Sequence, residues 1–466
     1  MPTPISAPNS APLPTRPWRT ELAATLRLAG PLAAANVLQM LVYAIDVVFV
    51  ARLGAEPLAA ASLSTALFGL IAWCFSGLTG AVAPLIAAEL GSRRHAVRQI
   101  RRSVRMALWL AMACAAIGMA VCACGERLML LTGQAPQVAA RAGAFLGMLL
   151  FALPPLIAGN VLRTFVSAMG RPYFATAITA LAIVVNAAGN YVFVFGQFGA
   201  PALGLVGSAV STCLTALATL LAYVVAIRRD RRLRRYHLFG RLWRPEWRRL
   251  GDLLRIGLPI AATILAEAGL FSAAAFLMGR IGEAQLAGHT VALQIAAFCF
   301  QIPFGIGQAA TIRVGYHFGA GDRAGVGRAG WVALATGTAV MGLTAGTMLL
   351  IPRPLVSLYI DLADPANAAM IGFATQFMLV AAAFQLFDGI QAVAAGVLRG
   401  LQDTRVPMFV ALFAYWVPGA AASIGLGLFT PLAGLGVWFG LLISLAIVAV
   451  LLLWRWSRRE RLGLVP

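Results

Sequence analysis

Long apolar segments separated by short polar connections run along the whole chain. A helix needs about 20 apolar residues to cross a lipid bilayer, and the polar interruptions leave segments of that length. Their approximate boundaries are residues 28–51, 58–90, 104–124, 142–168, 173–195, 203–227, 254–279, 286–318, 331–351, 369–398, 407–430 and 433–454. The pattern therefore predicts an all-α polytopic membrane protein with twelve transmembrane helices.

The second half of the chain repeats the first half at a fixed offset. Identical residues lie 228 positions apart at Pro31 and Pro259, Arg52 and Arg280, Gly54 and Gly282, Leu58 and Leu286, Gly77 and Gly305, and Gly91 and Gly319. Each half holds six spans, and because six is even both halves have the same orientation in the membrane. The repeat predicts two six-helix lobes with a cleft between them, related by a pseudo-twofold axis along the membrane normal.

The repeat also sets the domain organisation that we expect. It comprises a disordered cytoplasmic tail at residues 1–24, a first lobe at 25–227, a basic cytoplasmic linker at 228–252, a second lobe at 253–456 and a cytoplasmic tail at 457–466. The first seventeen residues are rich in Pro and Ser and lack the apolar core of a signal peptide.

Composition and charge agree with a membrane protein. Of the 466 residues, 61% are hydrophobic and 11% are charged, whereas about a quarter of the residues in a soluble domain are charged. The chain has 36 Arg, no Lys and 16 acidic residues, which gives a net charge of +20. The densest Arg clusters lie at 91–105, at 228–250 and at the end of the chain. Basic loops between spans stay in the cytoplasm and lie close to anionic lipid. We therefore expect both termini in the cytoplasm, a bacterial plasma (inner) membrane location and no nucleic-acid partner.

Several enzymatic chemistries lack their sequence motifs. The chain contains no Lys, and a P-loop ATPase requires one. The metalloprotease motif HExxH and the hydrolase motif GxSxG are also absent. The six Cys fall in or beside apolar segments, which is typical of packing residues rather than of a disulfide or zinc framework. The sequence predicts no enzymatic activity and no bound cofactor.

Three carboxylates lie well inside predicted spans: Asp46, Glu267 and Asp388. A charged side chain at the centre of a bilayer costs roughly 2.5–3.5 kcal/mol, which makes such residues candidates for a functional role. The repeat aligns Asp46 with Ala274 and Glu267 with Gln39, so the acids are not copies of one position. At 1.5 Å per residue, Glu267 and Asp388 lie about 20 and 16 Å from the inner ends of their helices. We expect these two to face each other in the second lobe, with Asp46 in the outer part of the first.

These acids suit exchange of a proton for another cation. Loss of hydration favours the neutral form of a carboxyl group, so an acid inside a bilayer can exchange protons near neutral pH. A cation that arrives beside it favours proton release, which is the chemistry of an antiporter. The alternative is that each acid makes a structural hydrogen bond or ion pair with an Arg inside the membrane, with Arg163 and Arg313 as the candidates.

Polar amides accompany Asp46 in the first lobe. Asn186 and Asn190 are one helical turn apart and therefore share one face of the fifth span. Their amides, together with that of Gln39, are candidates for binding Asp46 or a substrate, while hydrogen bonding between helices is the structural alternative.

Four stretches together carry a family resemblance. They read GPLAAANVLQMLVYAIDVVFVARLG, NAAGNYVFVFGQFGAPALGLVGSAV, GLPIAATILAEAGLF and QLFDGIQAVAAGVLRGLQDTRVP. From about residue 25 to residue 455, the chain resembles the multidrug and toxic compound extrusion (MATE) family, in its bacterial NorM-like branch. The resemblance implies twelve helices in two lobes and export of organic cations in exchange for protons or sodium.

The resemblance also implies roles for individual residues. Asp46 and Asn190 correspond to functional residues of the first lobe, and Glu267 and Asp388 to the cation pair of the second. Sodium-using members often have a Tyr one turn before the tenth-span Asp, where this chain has Phe384. This departure favours protons, with sodium at Glu267 and Asp388 as the alternative coupling ion.

The sequence therefore predicts a secondary active multidrug exporter of amphipathic organic cations that works by antiport and functions as a monomer. Phe271 and Phe384 are candidates for cation–π contacts in the cleft, although core packing explains them equally well. The alternative function is a flippase for lipid-linked saccharides, which needs several inward-facing basic residues for its diphosphate. Arg163 and Arg313 are the candidates that the sequence offers.

Overall fold

The computed structural model describes residues 18–92, 96–240 and 242–465. Within these residues, twelve helices are long and apolar enough to cross a membrane, and no strand occurs. We number them spans 1–12: Trp18–Ala51, Ala55–Ser92, Ala96–Ala123, Pro136–Ala168, Tyr173–Phe195, Leu205–Arg229, Trp247–Ile281, Glu283–Gly319, Arg323–Leu350, Pro365–Gly400, Arg405–Leu428 and Gly434–Ser457. The predicted all-α fold with twelve spans is confirmed.

Most connections between consecutive spans are short, so neighbouring spans run antiparallel. Short helices at Gly125–Leu131, Arg231–Arg234 and Pro352–Val356 lie in the longer connections. We call the side of the bundle on which span 1 begins and span 12 ends the terminal side. Large apolar side chains cover the outer surface, for example Leu343 and Phe409, which are 72% and 63% exposed. Such a surface is suited to contact with lipid.

Several spans depart from regular helix at identifiable residues. Span 1 contains Pro31 and span 7 contains its repeat equivalent Pro259. Span 2 consists of two helices that meet at Ala81. Span 11 contains a π-helical turn, Tyr415–Gly419, which includes Pro418. Proline has no N–H for the helical ladder, and π-helical turns adjust the direction in which helical side chains point.

The first helix begins earlier than the sequence pattern indicates. Residues 18–24, which we expected to form part of the disordered tail, are helical and belong to span 1. Glu21 in this turn is 1% exposed because its carboxylate pairs with Arg313 of span 8, with distances of 2.8 and 2.7 Å to the guanidinium. That ion pair explains why the helix extends past the apolar segment. Residues 1–17 of the predicted tail lie outside the described residues.

The predicted linker at 228–252 is also more ordered than its charge pattern suggests. Span 6 continues to Arg229, and the carboxylate of Asp230 then accepts hydrogen bonds from the backbone N–H groups of Arg232 and Leu233. This cap starts the short helix Arg231–Arg234. Span 7 begins at Trp247, so the end of the predicted linker belongs to that span.

The two lobes meet closely through a pair of repeat-related glycines. A Cβ at Gly91 of span 2 would overlap the backbone oxygen of Tyr316 in span 8, and a Cβ at Gly319 would overlap that of Ala88 in span 2. Positions 91 and 319 are 228 apart, as are positions 88 and 316. The two crossings are therefore equivalents under the pseudo-twofold axis that the repeat predicts.

Ion pairs also join the lobes on the terminal side. They are Glu21 with Arg313, Glu89 with Arg249, and Glu246 with both Arg102 and Arg105. Nearer the middle of the bundle, the amide of Asn36 donates to the Gln308 side chain at 3.5 Å, and the rings of Trp73 and Phe304 stack. No described hydrogen bond, ion pair or ring contact joins the lobes in the half of the bundle farther from the terminal side.

Candidate functional site

Asp46 lies at the centre of a hydrogen-bonded cluster in the first lobe. Its Oδ1 accepts hydrogen bonds from the amide nitrogens of Asn186, at 2.9 Å, and Asn190, at 2.7 Å. Its Oδ2 lies 3.4 Å from the hydroxyl of Thr212. Spans 1, 5 and 6 thus converge on one carboxylate, and the predicted association of Asp46 with both amides is present in the structure.

Close packing of spans 5 and 6 holds the amides in place. Asn186 and Asn190 are fully buried. The hydroxyl of Ser211 donates to the backbone oxygen of Asn186 at 2.9 Å, and a Cβ at Gly189 would contact that same hydroxyl group. A small residue at position 189 therefore lets the two helices approach, which fixes the amides toward span 1.

Gln39 lies on the same face of span 1 as Asp46, two helical turns earlier. It is half-buried, and its side chain forms no hydrogen bond with another described residue. Its neighbour Asn36, one turn nearer the terminal side, receives a hydrogen bond from Arg163 at 2.5 Å. Span 1 thus presents a row of polar side chains that ends at the carboxylate of Asp46.

The structure brings Glu267 and Asp388 together in the second lobe. Asp388 and Gln391 share one face of span 10, and that face meets Glu267 of span 7. The amide nitrogen of Gln391, one turn after Asp388 on span 10, lies 3.5 Å from Oε1 of Glu267. Asp388 is 6% exposed, and its Oδ1 has no hydrogen-bond partner among the described residues.

Neither candidate Arg pairs with any of the three acids. Arg313 forms its ion pair with Glu21 at the terminal side, and Arg163 donates to Asn36. The structural alternative, in which an Arg inside the membrane makes a hydrogen bond or ion pair with each functional acid, therefore does not hold for the described residues. Because Glu21 neutralises Arg313, a diphosphate-binding cluster built on these two Arg also loses one of its members.

The aromatic candidates lie in the core of the second lobe. Phe384 is 1% exposed and packs edge-on against Phe271, with ring centroids 6.1 Å apart, and against Trp438, at 5.4 Å. Of the two interpretations of Phe384, this conformation favours core packing, because neighbouring rings cover the side chain. Phe271 is half-buried and also packs against the apolar core.

Three polar residues of the two clusters were not predicted. They are Thr212 beside Asp46, and Gln391 and Tyr415 beside Glu267 and Asp388. Gln391 was accessible to sequence reasoning, because a polar residue three positions after an acid shares its helical face. Tyr415 lies at the start of the π-helical turn, and no periodic pattern indicates its direction. Carboxylate, amide and hydroxyl oxygens of these residues are ligand types that an alkali cation accepts.

Sequence comparison aligns nearly the whole chain with bacterial proteins named as multidrug resistance proteins. It is 44% identical over 450 residues to a probable multidrug resistance protein NorM of Mesorhizobium japonicum, covering 97% of this chain and 96% of that protein. It is 38% identical over 433 residues to the multidrug resistance protein NorM of Burkholderia vietnamiensis, covering 92% of each.

Solved structures share the fold. A MATE crystal structure in the straight conformation superposes with a TM-score of 0.85 at 20% identity, covering 95% of this chain and 97% of that one. The eukaryotic MATE transporter AtDTX14 gives 0.82 at 19%, covering 96% of this chain and 100% of that one. The MatE family model matches twice, at residues 31–192 and 259–423, with starting points 228 residues apart. The chain is therefore a member of the MatE family.

Proposed function

We propose that the protein is a secondary active multidrug exporter that moves amphipathic organic cations out of the cell in exchange for protons. The observation that carries the proposal is that the acids at the functional positions, Asp46, Glu267 and Asp388, have no Arg partner among the described residues. Ionisable groups left without a counter-ion inside a membrane protein are free to bind protons or cations in turn. The names of the NorM relatives support multidrug compounds as substrates.

Arg placement supports an orientation with the terminal side in the cytoplasm. The connection after span 6 carries a dense basic cluster, and the segment after span 12 is also basic. The positive-inside rule assigns both to the cytoplasm. The lobes are joined on that side, so this conformation has its cleft toward the cell exterior, and transport requires the terminal-side contacts to open in the next step of the cycle.

Protons are the proposed coupling ion, and sodium is the alternative. Sodium must be held by several oxygens that replace its water, whereas a proton needs one carboxylate. Phe384 offers no oxygen and is covered by neighbouring rings. Each pH unit supplies about 1.4 kcal/mol per proton, and each charge that crosses 100 mV supplies about 2.3 kcal/mol. Exchange of two protons for one monovalent cation would use both.

The experiment that tests this proposal is dye efflux in inverted membrane vesicles with proton and sodium gradients imposed separately. A proton gradient alone should drive transport of a cationic dye, and a protonophore should stop it. Transport that continues after the proton gradient collapses but stops when sodium is withdrawn would assign sodium as the coupling ion. Transport that requires neither gradient would contradict antiport.

A further inference from the structure

A narrow cavity runs through the second lobe between spans 7, 10, 11 and 12. Its volume is about 40 Å³. Its polar lining comprises Thr263, Gln391, Arg399, Asp403, Thr404 and Tyr415. On span 10 the lining positions 391, 395 and 399 are four residues apart, and on span 11 positions 407, 411 and 415 repeat the same spacing. The cavity therefore follows one face of each helix and runs parallel to them.

One end of this cavity lies at Gln391, beside the acid pair. Gln391 lines the cavity and directs its amide nitrogen to Glu267. The other atom of that amide, Oε1, is buried and has no hydrogen-bond partner among the described residues, and the same is true of the Tyr415 hydroxyl. Gln391 is 6% exposed and Tyr415 is fully buried. Buried polar atoms of this kind are normally satisfied by ordered water.

The other end of the cavity reaches the terminal side. Arg399 lies in the last turn of span 10 and Asp403 in the connection that follows it. Eight residues of helix, about 12 Å, separate Arg399 from Gln391. Asp403 already accepts a hydrogen bond from Arg455 at 2.6 Å. Asp403 is paired with Arg455, and Arg399 forms no ion pair with a described carboxylate, so its guanidinium adds a positive charge to the path.

We propose that this cavity is a water-filled route by which the Glu267–Asp388 pair exchanges protons with the cytoplasm, and that Arg399 controls passage along it. The proposal rests on the proposed function and on its orientation. It separates the path of the proton from the cleft between the lobes, because the cavity lies inside one lobe. A site of this size and polarity meets the requirement for bound water, which is at least about 10–15 Å³ and two polar partners.

The proton step needs only water as a partner. On release, the O–H bond of the neutral Glu267 carboxyl group breaks, the carboxylate keeps the electron pair, and the proton joins a water molecule held by Gln391 and Tyr415. The Tyr415 hydroxyl can both accept and donate a hydrogen bond, so it can bridge that water to the next one. The proton then leaves through water past Arg399, and uptake follows the reverse order.

Arg399 provides the control that such a route requires. A path that joined the acid pair to the cytoplasm while the cleft faced outward would dissipate the proton gradient. A guanidinium on the path repels an excess proton, and this repulsion is strong in a narrow cavity that holds few water molecules. The charge of Arg399 therefore slows passive flow along a route that is otherwise open to water.

Proton leak without substrate tests the route. Purified variants are placed in liposomes that contain a pH-sensitive dye, the voltage is clamped, and a pH step is applied with no drug present. Loss of the Arg399 charge in Arg399→Gln should raise the leak about tenfold, while Arg399→Lys should leave it low. Arg405→Gln is the matched control, because Arg405 is an exposed neighbour outside the cavity lining.

A second substitution identifies the path of that leak. The leak of Arg399→Gln should return to the wild-type rate when Glu267→Gln is added, because the route then loses the acid that Gln391 connects to the cavity. A leak no greater than that of Arg405→Gln, or one that persists in the double variant, would overturn the proposal. The assay contains no substrate, so either result is independent of whether the protein exports cations.

Silver-ion accessibility provides a second measurement that does not require the Arg399 variant to fold. With the native Cys replaced, a Cys at Ala395, which lines the cavity, should react with Ag⁺ added from the cytoplasmic side. A Cys at Val393, which is fully buried on the same span outside the cavity, should react much more slowly. Equal rates at the two positions would overturn the proposal, because they would show that the cavity gives no special access.

Discussion

Arg249 of the second lobe lies 3.0 Å from Glu89 of the first, and the repeat equivalents of these two residues also meet across the lobe interface. The equivalent of Arg249 is Glu21, and that of Glu89 is His317, whose Nε2 lies 3.6 Å from the Glu21 carboxylate. The two contacts therefore occupy corresponding positions with the charges exchanged. The first lobe contributes both acids, Glu21 and Glu89, and the second lobe contributes the basic side chains of Arg249 and His317 to the closed terminal side.

The first prediction concerns this closure. Glu21 is buried, and replacing one partner of a buried ion pair costs about 3–5 kcal/mol. Glu21→Gln should therefore destabilise the closed terminal side and favour the conformation in which the lobes separate there. Spin labels at Val97 and Ala324, one on each lobe, should show a longer distance by double electron–electron resonance.

The matched control for this change is Glu56→Gln. Glu56 pairs with Arg141 at 3.3 Å within the first lobe, but both side chains are substantially exposed, at 39% and 48%. Exposed ion pairs contribute at most about 1 kcal/mol, so the distance distribution should not change. An unchanged distribution in Glu21→Gln would show that the ion pair does not hold the lobes together.

The second prediction concerns the three acids. Asp46→Asn, Glu267→Gln and Asp388→Asn should each abolish gradient-driven dye efflux, because an amide keeps the shape of the carboxyl group but cannot titrate. Gel filtration and thermal unfolding should show that the variants remain folded. Glu283→Gln, at an exposed position at the start of span 8, should transport normally. Near-normal efflux in all three acid variants would rule out the antiport mechanism.

The third prediction separates the partners of Asp46. Asn190 donates to this carboxylate at 2.7 Å, whereas Thr212 lies at 3.4 Å. Hydrogen bonds to charged groups contribute about 1.5–3 kcal/mol, and the shorter bond should contribute more. Asn190→Ala should therefore lower the efflux rate about tenfold or more, and Thr212→Val should have a smaller effect. A larger loss in the Thr212 variant would contradict this ranking.

The fourth prediction tests orientation. Phe198 lies in the connection between spans 5 and 6 and is 88% exposed, while Trp243 lies in the basic connection before span 7 and is 72% exposed. With the native Cys replaced, a Cys at position 198 should react in intact cells with a membrane-impermeant maleimide, and a Cys at 243 should react only after the cells are opened. Labelling of position 243 in intact cells would reverse the orientation.

Hydropathy and the repeat predicted the parts of the fold that depend on apolar length. The twelve spans and the two-lobed fold are confirmed, since a helix cannot leave the bilayer until its apolar segment ends. The start of span 1 was wrong, because the helix extends through residues 18–24, where the distant Arg313 holds Glu21. A tertiary ion pair of this kind leaves no local pattern in the sequence.

The candidate site was predictable where polarity alone identified it. An acid or amide inside an apolar span is visible in the sequence, so Asp46, Asn186 and Asn190 were found together. The direction of a side chain depends on helix rotation, which hydropathy does not determine. For that reason the sequence leaves Phe384 open between the cleft and the core, where the structure packs it against Trp438, and the sequence gives no sign of Tyr415 in its π-helical turn.

The paired crossings of Gly91 over Tyr316 and Gly319 over Ala88 have the geometry of an isologous dimer interface. In such an interface, one surface patch meets a second copy of itself across a twofold axis. A six-helix ancestor with this patch would have assembled as a homodimer before its gene was duplicated and fused. Each lobe therefore carries one of the two equivalent patches of that interface. A chain cut within residues 228–252 should reassemble from two separately synthesised pieces.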